Sequence, residues 1–296
     1  MKPAPFTYHR PADVDAALAL LADLHAAGQH AKVLAGGQSL LPLLSMRLAA
    51  PGHLVDVNAL TGLDRVDVGP AGVRVGALVR HRALERHDGA SAAAPLLRQA
   101  LQHVAHPTIR NRGTTVGSLC HADASGEMPA VLALLGGSVT ARSTRGERTV
   151  AAADFFVGPL ESALEPDELA VSALFPLLPS GSGTAVCELA RRHGDYAVCG
   201  VVALVRLEAG RVAEARAVYV SAGDDISPVD LTDPVRGADA QSAPWGDAGE
   251  LARDVVATEP DIHASADYRS QLVAVLTERA LRSAASSAAS TPAVAA

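Results

Sequence analysis

Two short stretches, AGGQS at 35–39 and GTTVGS at 113–118, constrain this chain more than anything else in it. Each combines glycine with small hydroxyl residues and runs straight into an apolar segment. A plain turn needs one glycine at most. An adjacent pair, Gly36 and Gly37, with Ser39 just behind it, is backbone shaped for close approach. Successive backbone N–H groups in such turns form an anion-binding concavity, and a helix starting behind them adds its dipole. Two such loops can clasp the two phosphates of a dinucleotide from opposite sides. Either loop alone reads more readily as a tight turn with glycine at positive φ. Together they balance the phosphate reading against the turn reading.

The usual nucleotide signatures are missing. No G-x-x-x-x-G-K-[ST] occurs, and the only G-x-G, Gly181 to Gly183, has Val186 where a Rossmann fingerprint wants its third glycine. A dinucleotide site here must belong to another fold. No nucleophile-elbow pattern and no H-E-x-x-H is present. The 296 residues, 49% hydrophobic and 19% charged, are enough for two or three globular domains. With aromatics at only 3%, the core must be built mainly of Ala, Leu and Val. A formal charge of −7 argues against a nucleic-acid surface, which needs a clustered cationic excess. The longest strongly apolar run, AVCGVVALV, is far short of the roughly 18 residues of a membrane span. The opening MKPAPFTYHRP lacks the apolar core of a secretory signal. Three cysteines, Cys120, Cys187 and Cys199, without paired spacing fit a reducing cytoplasm and supply no iron–sulfur or zinc framework. The expected location is cytoplasmic.

Along the chain, ADVDAALALLADLHAAG predicts a helix capped by Asp13 and stopped by Gly28. AKVLA predicts a strand, SLLPLLSMRL a helical piece, and HLVDV and GVRVGAL further strands. APLLRQALQHVA reads as a helix ended by Pro107, and 129–135 as another closed by Gly136 and Gly137. SVTARS and RTVAAADFF read as a strand pair around TRGE, and LPSGSGT as the domain boundary. Beyond it come strands with a hairpin around Glu208–Arg211, a polar loop-like stretch from 223 to 249, and a long helix at about 268–284. The Ala/Ser-rich 285–296 reads as a disordered tail.

Other stretches leave alternatives open. His103, His106, Cys120, His121, Asp123 and Glu127 lie close in sequence, but no pair has the spacing of a structural zinc site, and His103 and His106 follow helix periodicity. No metal site is expected. Asp123 and Glu127, just after the second loop, suit acceptance of hydrogen bonds from ribose or ribitol hydroxyls, and equally suit helix capping. ARRHGDYAV places Tyr196 in a charged turn, as an aromatic lid over a flat ligand or as an ordinary exposed turn. For Arg110 and Arg112, a solvated face is the default and phosphate pairing the alternative.

These motifs in this order resemble a known family. AGGQSLLPLL together with RGTTVGSLCHADASGEMPAVL, FTYHRP, EPDELAVSALFP and ARRHGDYAVCGVVAL is similar to the FAD-binding medium subunit of the molybdenum hydroxylases. That family includes xanthine dehydrogenase, carbon monoxide dehydrogenase and nicotine-degrading dehydrogenases. The resemblance spans nearly the whole chain. It implies an α+β flavoprotein with the FAD-binding fold of the vanillyl-alcohol oxidase/p-cresol methylhydroxylase (PCMH) type over 1–177. Two subdomains, about 1–57 and 58–177, would hold FAD between them, and a carboxy-terminal antiparallel sheet-and-helix domain would cover 184–284. It further implies FAD contacts from Leu34, Ala35, Gly36, Gly37, Gln38, Ser39 and Leu40, and from Thr114, Thr115, Val116, Gly117 and Ser118. Asp123 and Glu127 would lie near the flavin and Tyr196 beside its ring.

One position departs from the pattern. Many members read T-I-G-G-S in the second loop, whereas Thr115 and Val116 here precede a single Gly117. Valine disfavours positive φ, so the local backbone or the phosphate contact is expected to differ. The implied activity is electron transfer. A large molybdenum-pterin subunit would hydroxylate the substrate, and a small subunit with two [2Fe–2S] clusters would pass electrons to this chain's FAD and on to an external acceptor. The assembly would be a dimer of heterotrimers. The flavin does the redox chemistry, so no acid–base residue is assigned. Alternatives are a stand-alone flavin oxidase of the same fold and a flavin-free structural subunit. A nicotinamide-binding Rossmann protein is disfavoured by the missing fingerprint.

Overall fold

The computed structural model describes residues 2–290. The amino-terminal unit begins with a small parallel sheet. Strands β1 (Thr7–His9) and β2 (Ala31–Leu34) flank β3 (His53–Asp56). Parallel neighbours need a crossover. It is supplied by helix α1 (Val14–Ala26), which Asp13 caps by accepting from the Ala16 amide at 2.8 Å. Ala17, Leu18 and Leu21 form its buried face. After β2 the chain turns through 35–39 into the short helix α2 (Leu40–Met46).

A five-stranded antiparallel sheet follows. Its strands are β4 (Val66–Gly69), β5 (Gly72–Gly76), β6 (Ser138–Ser143), β7 (Gly146–Ala151) and, after the small hairpin β8 (Phe156–Gly158) and β9 (Glu161–Ser162), β10 (Leu169–Phe175). The order is β4-β5-β10-β6-β7, so β10 joins two hairpins. Helices α3 (His81–Glu85), α4 (Asp88–Ala93), α5 (Pro95–Leu101), α6 (Pro107–Arg110), α7 (Thr115–His121), α8 (Glu127–Leu134) and α9 (Ala152–Phe155) complete this unit. The helix expected to run up to Pro107 stops at Leu101. Pro107 instead opens α6, where its missing N–H costs nothing. The strand expected through Phe156 ends at Ala151, residues 152–155 form α9, and Phe156 opens β8.

The carboxy-terminal unit is an antiparallel sheet of β11 (Ser182–Ala190), β12 (Ala197–Glu208), β13 (Arg211–Val220) and β14 (Val229–Asp230), with helices α10 (Trp245–Val255) and α11 (Ala266–Ser290). Strands β12 and β13 join through Ala209 and Gly210, both at positive φ (49° and 76°), the two-residue turn that matches strand twist. The apolar run in β12 is continuous because both faces are covered. Val202 and Leu204 pack with the amino-terminal core, while Val201, Ala203 and Val205 pack with α10 and α11. Helix α8 is buried on every side, from Met128 to Leu134, between its own unit and β12 and β13.

Two expectations are corrected here. The stretch from 223 to 249 is not simply a loop. It holds β14, a short 3₁₀ turn (Asp233–Val235) and the start of α10, whose Trp245, Ala248 and Ala252 are buried. Residues 285–290 are not a disordered tail but the last turns of α11, with Ala285 and Ala288 buried. The helix lies directly on Gly183, where any Cβ would strike the Ala284 carbonyl and the Ala288 amide. The remainder of the expected tail, 291–296, lies outside the described residues. Among the described residues no helix is long and apolar enough to cross a membrane.

Candidate functional site

The two glycine stretches meet. A Cβ on Gly36 would lie 2.6 Å from the Arg112 carbonyl oxygen, 2.7 Å from Gly113 Cα and 3.0 Å from the Thr114 amide nitrogen. Only glycine lets these backbones touch. Gly37 then takes φ +73°, a left-handed turn that sends the chain into α2, where Leu41 donates to the Gly37 carbonyl at 3.0 Å. The Gln38 side chain donates back to the Gly36 carbonyl at 3.1 Å, and Leu34 packs under Gly37.

On the other side, Thr114 is the N-cap of α7, its hydroxyl accepting from the Gly117 amide at 3.2 Å. The second stretch is therefore a helix start rather than an open loop. Val116 stands in the first turn of α7, absent from the positive-φ residues, with its side chain in the core. The departure at Val116 thus falls on a helical position. Right-handed helical φ suits valine, and its side chain is turned inward.

The cradle's chemistry lies in its backbone. Among the described residues, the amides of Gly36, Gly37, Gln38, Ser39 and Leu40, and those of Thr114 and Val116, donate to no protein acceptor. Unpaired N–H groups on two segments in contact could hold an anionic oxygen. This matches a pyrophosphate in both charge and donor type.

Residues that the sequence did not single out hold the cradle closed. Asn58 donates to the Leu34 carbonyl at 3.3 Å and the Ala35 carbonyl at 2.8 Å. Arg80 donates to Asn58 Oδ1 at 2.7 Å and, through its other terminal nitrogen, to the Arg112 carbonyl. One guanidinium thus laces the first loop to the second. Buried His81 sits beneath Gly113 and lies 3.2 Å from the Thr115 hydroxyl. Burial, then the Arg110 charge, pushes the imidazole down to about 4, so it is neutral at pH 7. Arg110 itself is not on a solvated face. It is buried, donates to Glu85 at 3.0 Å, and also reaches the Val104 and Ala105 carbonyls. Arg112 is exposed.

Helix α7 carries the site from the cradle toward a second feature. Seven residues rise about 10 Å. At its far end Ala122 adopts left-handed φ and the chain turns through Asp123, which accepts from the Ser125 amide at 2.8 Å. Asp123 and Tyr196 both line a cleft of about 760 Å³ between the two units, with Leu160, Arg191, Ser221 and Arg269 among the other walls. Tyr196 is 70% exposed and within electrostatic reach of Asp123 and Glu127. Arg269 fixes the outer wall by donating to Val198 O at 3.1 Å and Asp261 Oδ2 at 2.7 Å. Glu127 is not a wall of this cleft. It begins α8 one turn after Asp123, and burial, then the neighbouring Glu188, pushes its carboxyl up. The fifteen expected positions therefore fall into a cradle (34–40 and 114–118), a cleft pair (Asp123 and Tyr196) and Glu127 at the start of α8.

A two-domain chain with an anion cradle at one end of a helix and an open cleft at the other has the build of a flavoprotein subunit. The chain belongs to the family of FAD-binding medium subunits of the molybdenum hydroxylases. The FAD binding domain in molybdopterin dehydrogenase matches residues 4–178, and the CO dehydrogenase flavoprotein C-terminal domain matches 184–284. The chain is 40% identical over 283 residues to the 6-hydroxypseudooxynicotine dehydrogenase complex subunit alpha of Paenarthrobacter nicotinovorans, covering 95% of each. It is 37% identical to the nicotine 6-hydroxylase medium subunit of the same organism, covering 95% of this chain and 98% of that one. Among solved structures it superimposes on quinoline 2-oxidoreductase from Pseudomonas putida 86 with a TM-score of 0.89 at 35% identity, covering 97% of this chain and 99% of that one. The chain is thus a subunit of a multi-subunit oxidoreductase.

Proposed function

We propose that this chain holds one FAD, with the pyrophosphate on the free amides of 36–40 and of Thr114 and Val116, and the ring end directed along α7 toward Asp123 and Tyr196. The observation that carries the reading is the pair of backbone segments locked together at Gly36, with unpaired N–H groups on both. When bound, FAD supplies the capacity to exchange electrons with donors and acceptors of one or two electrons. The chain's own part is to bind and orient. Arg80 and Asn58 keep the loops together, Thr114 presents the first turn of α7, and Tyr196 offers a flat face at the cleft.

The partners in this reading are a small subunit with two [2Fe–2S] clusters and a large molybdenum-pterin subunit, assembled as a dimer of heterotrimers in the cytoplasm. Electrons from the clusters reach this chain's FAD and leave to an external acceptor. Val116 lends no weight to a flavin-free scaffold, since its helical backbone leaves the amide free to donate. The test is an absorption spectrum of the purified chain with acid release of any yellow cofactor. FAD near one per chain supports the reading. No flavin, even after FAD is added back, overturns it.

A further inference from the structure

The stretch 191–196 joins β11 to β12 and forms one wall of the cleft, with Arg191, Gly194, Asp195 and Tyr196 all lining it. Every residue in it except Gly194 is exposed. Among the described residues its hydrogen bonding is a single turn, the Asp195 amide donating to the Arg192 carbonyl at 3.1 Å. None of its side chains makes a hydrogen bond or an ion pair within the described chain. A loop so sparsely tied does not by itself hold an aromatic ring in one place. What it rests on is His106 of the amino-terminal unit. Gly194 takes φ +89°, and a Cβ there would fall on the imidazole, 2.3 Å from Cε1 and 2.4 Å from Nδ1. Only a residue without a side chain lets the loop lie this close to the ring. Its neighbour His193 meets His106 edge-on, with ring centroids 6.5 Å apart and planes at 77°.

The backbone around His106 makes it a rigid seat. Pro107 confines the residue before it to extended backbone, and His106 has φ −93° and ψ 159°. Its carbonyl accepts from the Ile109 and Arg110 amides at 2.9 and 3.1 Å, which fastens it as the N-cap of α6. Arg110, buried and bonded to Glu85, also holds the Val104 and Ala105 carbonyls just upstream. The four residues of α6 rise about 6 Å, and just past its far end is the Arg112 carbonyl that Gly36 touches. One short segment therefore sets both the cradle and the loop. We infer that His106 is the positioning residue for Tyr196, its ring bearing the 191–196 loop so that the phenol stands at the cleft. His106 is not a wall of the cleft, so it acts through the loop and not on a ligand. The seat is made of contacts within this chain, and only its consequence for a flavin rests on the FAD reading above.

The experiment is limited trypsin digestion of the full chain, without and with added FAD, counting fragments that end at Arg191 or Arg192 by mass spectrometry. Cleavage there requires the loop to leave its seat and enter the protease. His106→Ala should speed it about fivefold, whereas His106→Phe, which keeps a ring, should stay within about twofold of the parent. Cleavage after Arg236, exposed elsewhere in the same unit, should not change in either variant. Equal cleavage at the loop in His106→Ala and the parent overturns the proposal, as does a Phe variant cut as fast as the Ala one. With FAD bound, an aromatic ring beside the flavin quenches its emission, so Tyr196→Leu sets the unquenched level. His106→Ala should rise at least halfway toward that level at unchanged FAD stoichiometry. No gain in Tyr196→Leu, or quenching in His106→Ala as deep as in the parent, refutes the placement of Tyr196 by His106. Faster cleavage of His106→Ala in a chain that takes up no FAD leaves the seat in place and refutes the flavin reading alone.

Discussion

Replacing Gly36 by alanine tests the cradle at the point where its two halves touch. The added methyl would sit 2.6 Å from the Arg112 carbonyl oxygen, and ordinary contact begins near 3.4 Å, so the backbones must part by about 0.8 Å. All three of its nearest neighbours are backbone atoms, and no side-chain rotation relieves the clash. Overpacking of this kind costs about 1–3 kcal/mol, roughly 2–4 °C in Tm per kcal/mol for a chain of this size. The effect on the cofactor should be larger, because amides 36–40 then move away from 114 and 116 together. Losing two hydrogen bonds to an anion, at about 1.5–3 kcal/mol each, weakens binding by roughly a hundredfold to ten-thousandfold. Flavin fluorescence titration of the apo chain measures this, with Gly52→Ala as control, since nothing lies closer than 3.8 Å to a Cβ there. Stoichiometric FAD in Gly36→Ala, bound within threefold of the parent, would refute the reasoning.

Gly117→Val should collide with the Thr114 hydroxyl that caps α7 and cost about 1 kcal/mol of cap. Gly37→Val should strain a φ of +73°. Both should lower bound flavin in the purified chain while circular dichroism stays native, and full retention in both would exclude a phosphate role. Arg80→Ala should weaken FAD about tenfold or more, and Arg80→Lys should not restore it, because one ammonium cannot serve both Asn58 and the Arg112 carbonyl with the guanidinium's fixed fork. A Lys variant that binds like the parent would count against the lacing role. Below pH 6.5 the unfolded chain binds a proton at His81 that the folded chain refuses until about 4. Stability should therefore fall by up to about 3 kcal/mol as pH drops through that window and level off beneath it. Urea unfolding across pH 4–7 should show a slope that His81→Gln reduces, and an identical slope in the variant would count against a buried neutral imidazole.

What could be read from the sequence was local. Glycine doublets, the Asp13 cap and the Glu208–Arg211 hairpin announce themselves because the residues that specify them are neighbours in the chain. Asn58 and Arg80 carry no such mark. Each stands in ordinary surroundings, and its role exists only once β2, α3 and α7 are brought together. Arg110 looked like a surface residue because its partner Glu85 is 25 positions away. The start of α10 was obscured by composition. Its buried face is Trp245, Ala248, Gly249 and Ala252, a helical spacing written mostly in residues too small to register as apolar. The same holds for 285–290, where alanine and serine suggest low complexity, yet the small side chains are what let α11 lie against Gly183. Val116 is the opposite case, because a stretch read as a loop is here the first turn of a helix.

Helix α8, enclosed from Met128 to Leu134, acts as a mechanical key between the two domains. Parting them would strip cover from Val202, Leu204, Val218 and Val220, at about 1.5–3 kcal/mol for each side chain, which is on the scale of a whole domain's stability. The molecule therefore has no clamshell motion to use. Separation of the two domains is too costly to serve as the way into the cleft between them.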